Sequence, residues 1–140
     1  MWVRHVLVPN MRMRNKAVTR DEWELQKMPK LHATIRVNRH FSQREIEKIK
    51  LGFRPDSMDD HWFIFYEKDR LHIHRSWTGY CIYIVRFGNE AGDYVASELQ
   101  ANRNPKQFGA SDDAYDAQMA FWVIDYFLLG RMDTRMPESR

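Results

Sequence analysis

The sequence predicts an α+β domain: an antiparallel sheet of about four to six strands packed with a short helix and a long C-terminal helix. Three observations predict it. Between about residues 61 and 99, runs of aromatic and β-branched residues are separated by short turn signals, as in a meander. Ser42-Gln43-Arg44-Glu45 has the spacing of a helix capping box. After Ser111-Asp112-Asp113, apolar residues recur three and four positions apart.

Taken in order, residues 2–8 alternate loosely and suggest a short strand. Residues 9–30 are polar and basic, and read as loop with one helical turn around Asp21–Gln26. Residues 31–38, Leu-His-Ala-Thr-Ile-Arg-Val-Asn, read as a strand. The first helix is expected over about 42–52. Phe41 and Ile46 have the spacing of a hydrophobic staple around its cap. Gly52 offers a left-handed stop, and Pro55 forbids continuation. The meander follows as His61–Glu67, Arg70–Trp77 and Tyr80–Phe87, with Asp93–Leu99 as a fourth strand. Asn104-Pro105 breaks the chain within a loop. The long helix is expected over about 112–129, capped by acidic residues and ended by Gly130. One domain over residues 1–132 is the expectation, with 133–140 as a frayed tail.

Turn arithmetic sorts the meander's side chains. A Lys68-Asp69 turn opposes Glu67 to Arg70, Phe65 to His72 and Phe63 to His74, and opposed residues share a face. One face then holds Trp62, Ile64, Tyr66, Leu71, Ile73 and Arg75; the other holds Phe63, Phe65, Glu67, His72 and His74. A two- or four-residue second turn ending before Tyr80 adds Ile82, Ile84 and Arg86 to the first face. Cys81, Tyr83, Val85 and Phe87 join the second. Two arginines, Arg75 and Arg86, thereby fall on the aliphatic face. There they need carboxylates such as Asp116 or Asp125, or an opening where they frame an anion site. The second face mixes two histidines with aromatics, as a half-open groove would.

Composition narrows the classes. At 44% hydrophobic and 14% aromatic, the 140 residues supply a true core. One cysteine, Cys81, excludes an internal disulfide and a cysteine-based zinc site. Met1-Trp2-Val3-Arg4-His5 has no apolar signal core, and no run approaches the roughly 18 apolar residues of a membrane helix. A cytoplasmic location without membrane contact is expected by elimination. Residues 1–50 hold 12 Lys/Arg against 5 Asp/Glu, a balance of +7, and the remainder holds 10 against 14, a balance of −4. A basic front end suits an acidic partner, or simply a solvated surface balanced within the fold.

Arg75-Ser76-Trp77-Thr78-Gly79 is the most unusual short stretch. It combines a planar cation for phosphate or carboxylate, an indole that can stack, two hydroxyls, and a Thr78-Gly79 pair able to present backbone amides. The bland alternative is a β-turn with a packing tryptophan. His72-Ile73-His74 puts two imidazoles on one face, short of the three or four ligands a metal needs. With Glu67 they would also suit a metal-independent ribonuclease. Few cations stand among the strand aromatics, which weighs against nucleic acid. No Walker loop, Rossmann glycine pattern, nucleophile elbow or zincin helix occurs. No catalytic residue, metal or cofactor is therefore assigned.

The segments His61-Trp-Phe-Ile-Phe-Tyr-Glu67, Leu71 and Arg75-Ser-Trp-Thr-Gly-Tyr-Cys-Ile-Tyr83 resemble a family of small bacterial proteins. So does Asn104-Pro-Lys-Gln-Phe108 followed by the acidic-capped helix. The likeness spans about residues 50–130. Members of that family are sometimes attached to macro-type ADP-ribose-binding domains, and the family has no established activity. The resemblance implies a nucleotide or ADP-ribose context and transfers no catalytic residue. The expectation is a monomeric or homodimeric binding module for an anionic ligand at Arg75, Ser76, Trp77, Thr78 and Gly79, supplemented by His72, His74 and Arg86. The alternatives are an immunity-type or regulatory protein partner without a small ligand, and the ribonuclease.

Overall fold

The computed structural model describes residues 16–109 and 111–138. The strand expected over 2–8 lies outside the described residues. Five strands form one antiparallel sheet: β1 (His32–Phe41), β2 (Trp62–Glu67), β3 (Arg70–Arg75), β4 (Cys81–Glu90) and β5 (Asp93–Asn102). Their order is β1-β5-β4-β3-β2, so β2 to β5 run as a meander and β1 pairs with the last strand.

The first hairpin follows the turn arithmetic residue by residue, from Trp62 opposite Arg75 to Glu67 opposite Arg70. Lys68 and Asp69 both have positive φ, 53° and 62°, the mirror-image turn that matches strand twist. The second turn has the four-residue length, Ser76–Gly79: the Arg75 N–H donates to the Tyr80 carbonyl at 2.9 Å, and His74 opposes Cys81. The departure comes beyond it, where a bulge puts both Ile82 and Tyr83 across from Ile73. The bulge's one extra residue reverses the parity of the rest of β4. Tyr83, Val85 and Phe87 face the core with Leu71 and Ile73, while Ile84 and Arg86 join His72 on the opposite face.

Two helices cover the core face: α1 (Gln43–Ile49) and α2 (Asp113–Val123). Ser42 and Glu45 form the reciprocal capping box, with bonds of 3.1 and 2.9 Å. Phe41 and Ile46 are both buried in the core beside that cap. At the long helix, the Asp112 carboxylate accepts from the Tyr115 N–H at 2.8 Å. Its last turn, Ile124–Leu128, widens to a π-turn that Leu129 closes by bonding to the Ile124 carbonyl. Beyond Gly130, the Trp122 indole donates to the Thr134 carbonyl. Among the described residues, no helix is long and apolar enough to cross a membrane.

Arg39, on the helix side of β1, makes a two-pronged bond to Asp125 at 3.1 and 2.7 Å. Arg131 meets the same carboxylate and also Glu45. The carboxylates expected for Arg75 and Arg86 are therefore taken by other cations, since Asp116 pairs with Arg103 at 2.6 Å.

The aromatic face is not a groove at β2 and β3. Residues 18–26 run across it. Val18 packs with Phe63 and Phe65, and Trp23 stacks on Phe63 at 5.3 Å. The Trp23 indole donates to the Ser76 carbonyl at 2.8 Å, and the Gln26 N–H donates to the Gly79 carbonyl at 2.9 Å. Within this segment the turn is a 3-10 turn at Arg20–Glu22, slightly earlier than expected.

Candidate functional site

The end of β3, the turn after it, the residue before β2 and the loop after β5 meet around one cleft of about 270 Å³. His61, Arg75, Trp77, Thr78, Gln107, Phe108 and Gly109 line it. Each wall has a local cause. Arg75 is on the core side of the sheet but at its last residue, so its guanidinium reaches out of the core while stacking over Trp62 at 4.9 Å. Among the described residues, no carboxylate pairs with it.

The turn is fastened to the chain entering β2. Ser76 is buried; its N–H donates to the His61 carbonyl and its hydroxyl to the Asp60 carbonyl, both at 2.8 Å. Trp77 is 66% exposed, yet its indole N–H reaches the Met58 carbonyl at 3.0 Å. Its ring lies 6.2 Å from that of His61. The opposite wall comes from the loop after β5. Phe108 sits edge-on to buried Tyr83 at 6.0 Å, and Gln107 is tied to Asn102.

A buried polar cluster holds that loop against the long helix. Tyr83 and Ser111 donate their hydroxyls to Asp116, and Arg103 bridges Asp116 and Asp113. Burial first, then the Asp116 charge, pushes the Tyr83 hydroxyl far above its ordinary value. It stays a donor at every working pH.

Of the residues singled out from sequence, Arg75, Trp77 and Thr78 share the cleft. Ser76 and Gly79 shape the turn from inside. The Gly79 N–H is spent on the Arg75 carbonyl at 2.8 Å, so it offers no free amide to an anion. His72 and His74 are on the other face of the sheet. His72 lies flat on Phe65 at 4.4 Å, and burial lowers its pKa to about 4. His74 is sealed, donating from Nδ1 to the Gly79 carbonyl at 2.9 Å, and burial lowers its pKa too. Both rings are neutral at pH 7. Arg86 is exposed on that same far face, 3.7 Å from Glu98. A shallow hollow there is lined by Arg20, Glu67, Lys68, Arg70 and His72, with Arg20 closed onto Glu67 at 2.9 Å.

His61 and the Gln107–Gly109 loop are the cleft residues that sequence reading missed. Both stand in segments that carry the family resemblance, but only tertiary packing brings them to one cleft. Cys81 is buried, and burial raises its thiol to about 12, which keeps it protonated and unreactive. Among the described residues, no group of three His, Cys, Asp or Glu could hold a metal ion. Compared with known proteins, the chain matches no family model, no curated protein and no solved structure.

Proposed function

We propose that this domain is a binding module for a small anionic ligand of the nucleotide or ADP-ribose class, taken in the cleft at Arg75. The observation that supports it most is a guanidinium lining a cleft with no carboxylate partner among the described residues. Arginines elsewhere in the fold, such as Arg39, Arg103 and Arg131, are closed into carboxylate pairs. A planar guanidinium holds phosphate by two parallel bonds. Trp77 and His61 beside it offer rings for a base or ribose to lie against.

Size limits the ligand. Drug-sized ligands fill roughly 300–1,000 Å³, so a cleft of about 270 Å³ encloses one end of a nucleotide, not a whole dinucleotide. Sequence likeness to proteins attached to macro-type domains favours the same ligand class. The single buried thiol of Cys81 suits work in the cytoplasm.

A thermal-shift panel of mononucleotides, ADP-ribose and NAD tests the reading. The wild type should gain Tm with at least one of them. Arg75→Gln and Trp77→Ala should lose that gain. Trp77 is exposed, so its variant keeps the fold. No gain with any ligand, or equal gains for wild type and both variants, would sink the proposal.

A further inference from the structure

The cleft contains a side chain whose hydrogen-bonding sense is set by the backbone behind it. Asn102 is fully buried at the end of β5. Its Oδ1 accepts from the Asn104 N–H at 2.8 Å. Its Nδ2 therefore faces the Cys81 carbonyl at 2.8 Å and Gln107 at 2.9 Å. Two backbone groups of fixed polarity thus decide which end of the Asn102 amide is which.

The consequence passes to Gln107. Both Nδ2 hydrogens of Asn102 are used, so the Gln107 atom facing them must be the acceptor, Oε1. Nε2 and its two hydrogens are turned away from Asn102, on a residue that lines the cleft. Among the described residues, no acceptor takes those hydrogens. Thr78 adds a third donor. Its Oγ accepts from the Tyr80 N–H at 3.2 Å, which leaves the hydroxyl hydrogen to give. With Arg75, three side chains of one small cleft offer hydrogens.

We propose that Gln107 is a ligand-contacting residue whose Nε2 donates to a terminal phosphate held by Arg75, with Asn102 as its positioning residue. A two-pronged guanidinium engages both oxygens of a carboxylate, so Gln107 and Thr78 would have to share oxygens already bonded. A phosphomonoester held by Arg75 through two oxygens keeps a third non-bridging oxygen for Gln107 and Thr78. A cleft of about 270 Å³ has room for one end of a ligand, whereas an internal diphosphate carries bulk on both sides. The inference rests on the cleft being an anion site, and it narrows the ligand to a mononucleotide ending in phosphate.

Two near-isosteric variants separate contact from architecture. Gln107→Glu keeps an acceptor for Asn102 and replaces the donor with a charged oxygen. Gln107→Met keeps the shape and loses both. Binding of AMP is measured by titration calorimetry, with adenosine and ADP-ribose alongside, and Tm is measured for each variant. The expected affinity order is wild type, then Met, then Glu, with Glu weakened about tenfold or more. The expected stability order differs: wild type and Glu alike, Met lower. AMP should bind more tightly than ADP-ribose, and adenosine should bind least.

If affinity instead follows stability, with Glu equal to wild type, Gln107 serves the fold alone and the inference falls. If ADP-ribose binds and AMP does not, the anion site stands and the phosphomonoester assignment falls. If no phosphorylated ligand binds the wild type, the inference and the reading beneath it fall together.

Discussion

The Tyr83 hydroxyl donates to the Asp116 carboxylate at 2.8 Å, joining the middle strand of the sheet to the first turn of the long helix where neither group meets water. Asp116 also accepts from Ser111 and pairs with Arg103, so it holds sheet, loop and helix together. Removing the tyrosine hydroxyl leaves the carboxylate two partners. Tyr83→Phe should cost about 1–2 kcal/mol in urea unfolding. Asp116→Ala removes the acceptor of both Tyr83 and Ser111 and one of the two carboxylates of Arg103, and should cost about 3 kcal/mol or more. Equal costs for the two changes would show that Asp113 alone satisfies Arg103.

Gly79 ties the turn of the cleft to the covering segment. Its φ is +78°, and a Cβ there would stand 2.3 Å from the Glu24 carbonyl oxygen. Both the backbone sense and the close approach exclude a side chain. Gly79→Ala should destabilise the fold by about 3 kcal/mol. Limited proteolysis should then cut within residues 18–26 first. An unchanged Tm with protection intact would mean the cover does not depend on this approach.

Trp23 carries the cover's packing. It stacks on Phe63 and donates to the Ser76 carbonyl. Trp23→Ala should cost about 2–3 kcal/mol, since the ring is half-buried and not fully so. Phe63 and Phe65 would be uncovered, and binding of a hydrophobic dye should rise. Dye binding at the wild-type level would show that the rest of the segment closes the face unaided.

His72 makes stability depend on pH. Burial is the main cause of its lowered pKa, helped by His74 and Arg20 and opposed by Glu67. Folding holds the ring neutral down to about pH 4, while the unfolded chain takes up a proton from about 6.5. Between those values the unfolded state binds more protons, so stability falls as pH falls, by at most roughly 3 kcal/mol. His74 is shifted in the same direction. The urea midpoint should drop between pH 7 and 4.5, and His72→Phe should flatten that drop while keeping the stack on Phe65. Parallel profiles for variant and wild type would show that His72 takes up its proton in the fold.

The elements legible in the sequence were those with local causes. Lys68-Asp69 makes its own turn, so every pair of the first hairpin could be counted out. Ser42 and Glu45 cap each other within four residues. The second turn has a length that turn arithmetic allowed, and Ser76 fastens it to Asp60 and His61. The bulge beyond it was not legible, because Cys81-Ile82-Tyr83 holds no glycine or turn residue to announce an extra residue. That one extra residue in the strand moved Arg86 to the far face and Tyr83 into the core. Val18, Trp23 and Leu25 lie in a stretch without periodicity, so nothing local announced that they close a face. His61 and Gln107 are far apart in sequence, and only the folded sheet brings them to one cleft.

The covering segment also bears on the order in which the chain assembles. Residues 18–26 leave the ribosome before any strand of the meander exists. They have nothing to lie on until Phe63, Phe65 and finally Gly79 have been made. When β2 and β3 pair, their sticky aromatic side meets a stretch of chain that is already synthesised and tethered nearby. The face most prone to pairing with strangers during synthesis thus has its own lid waiting for it.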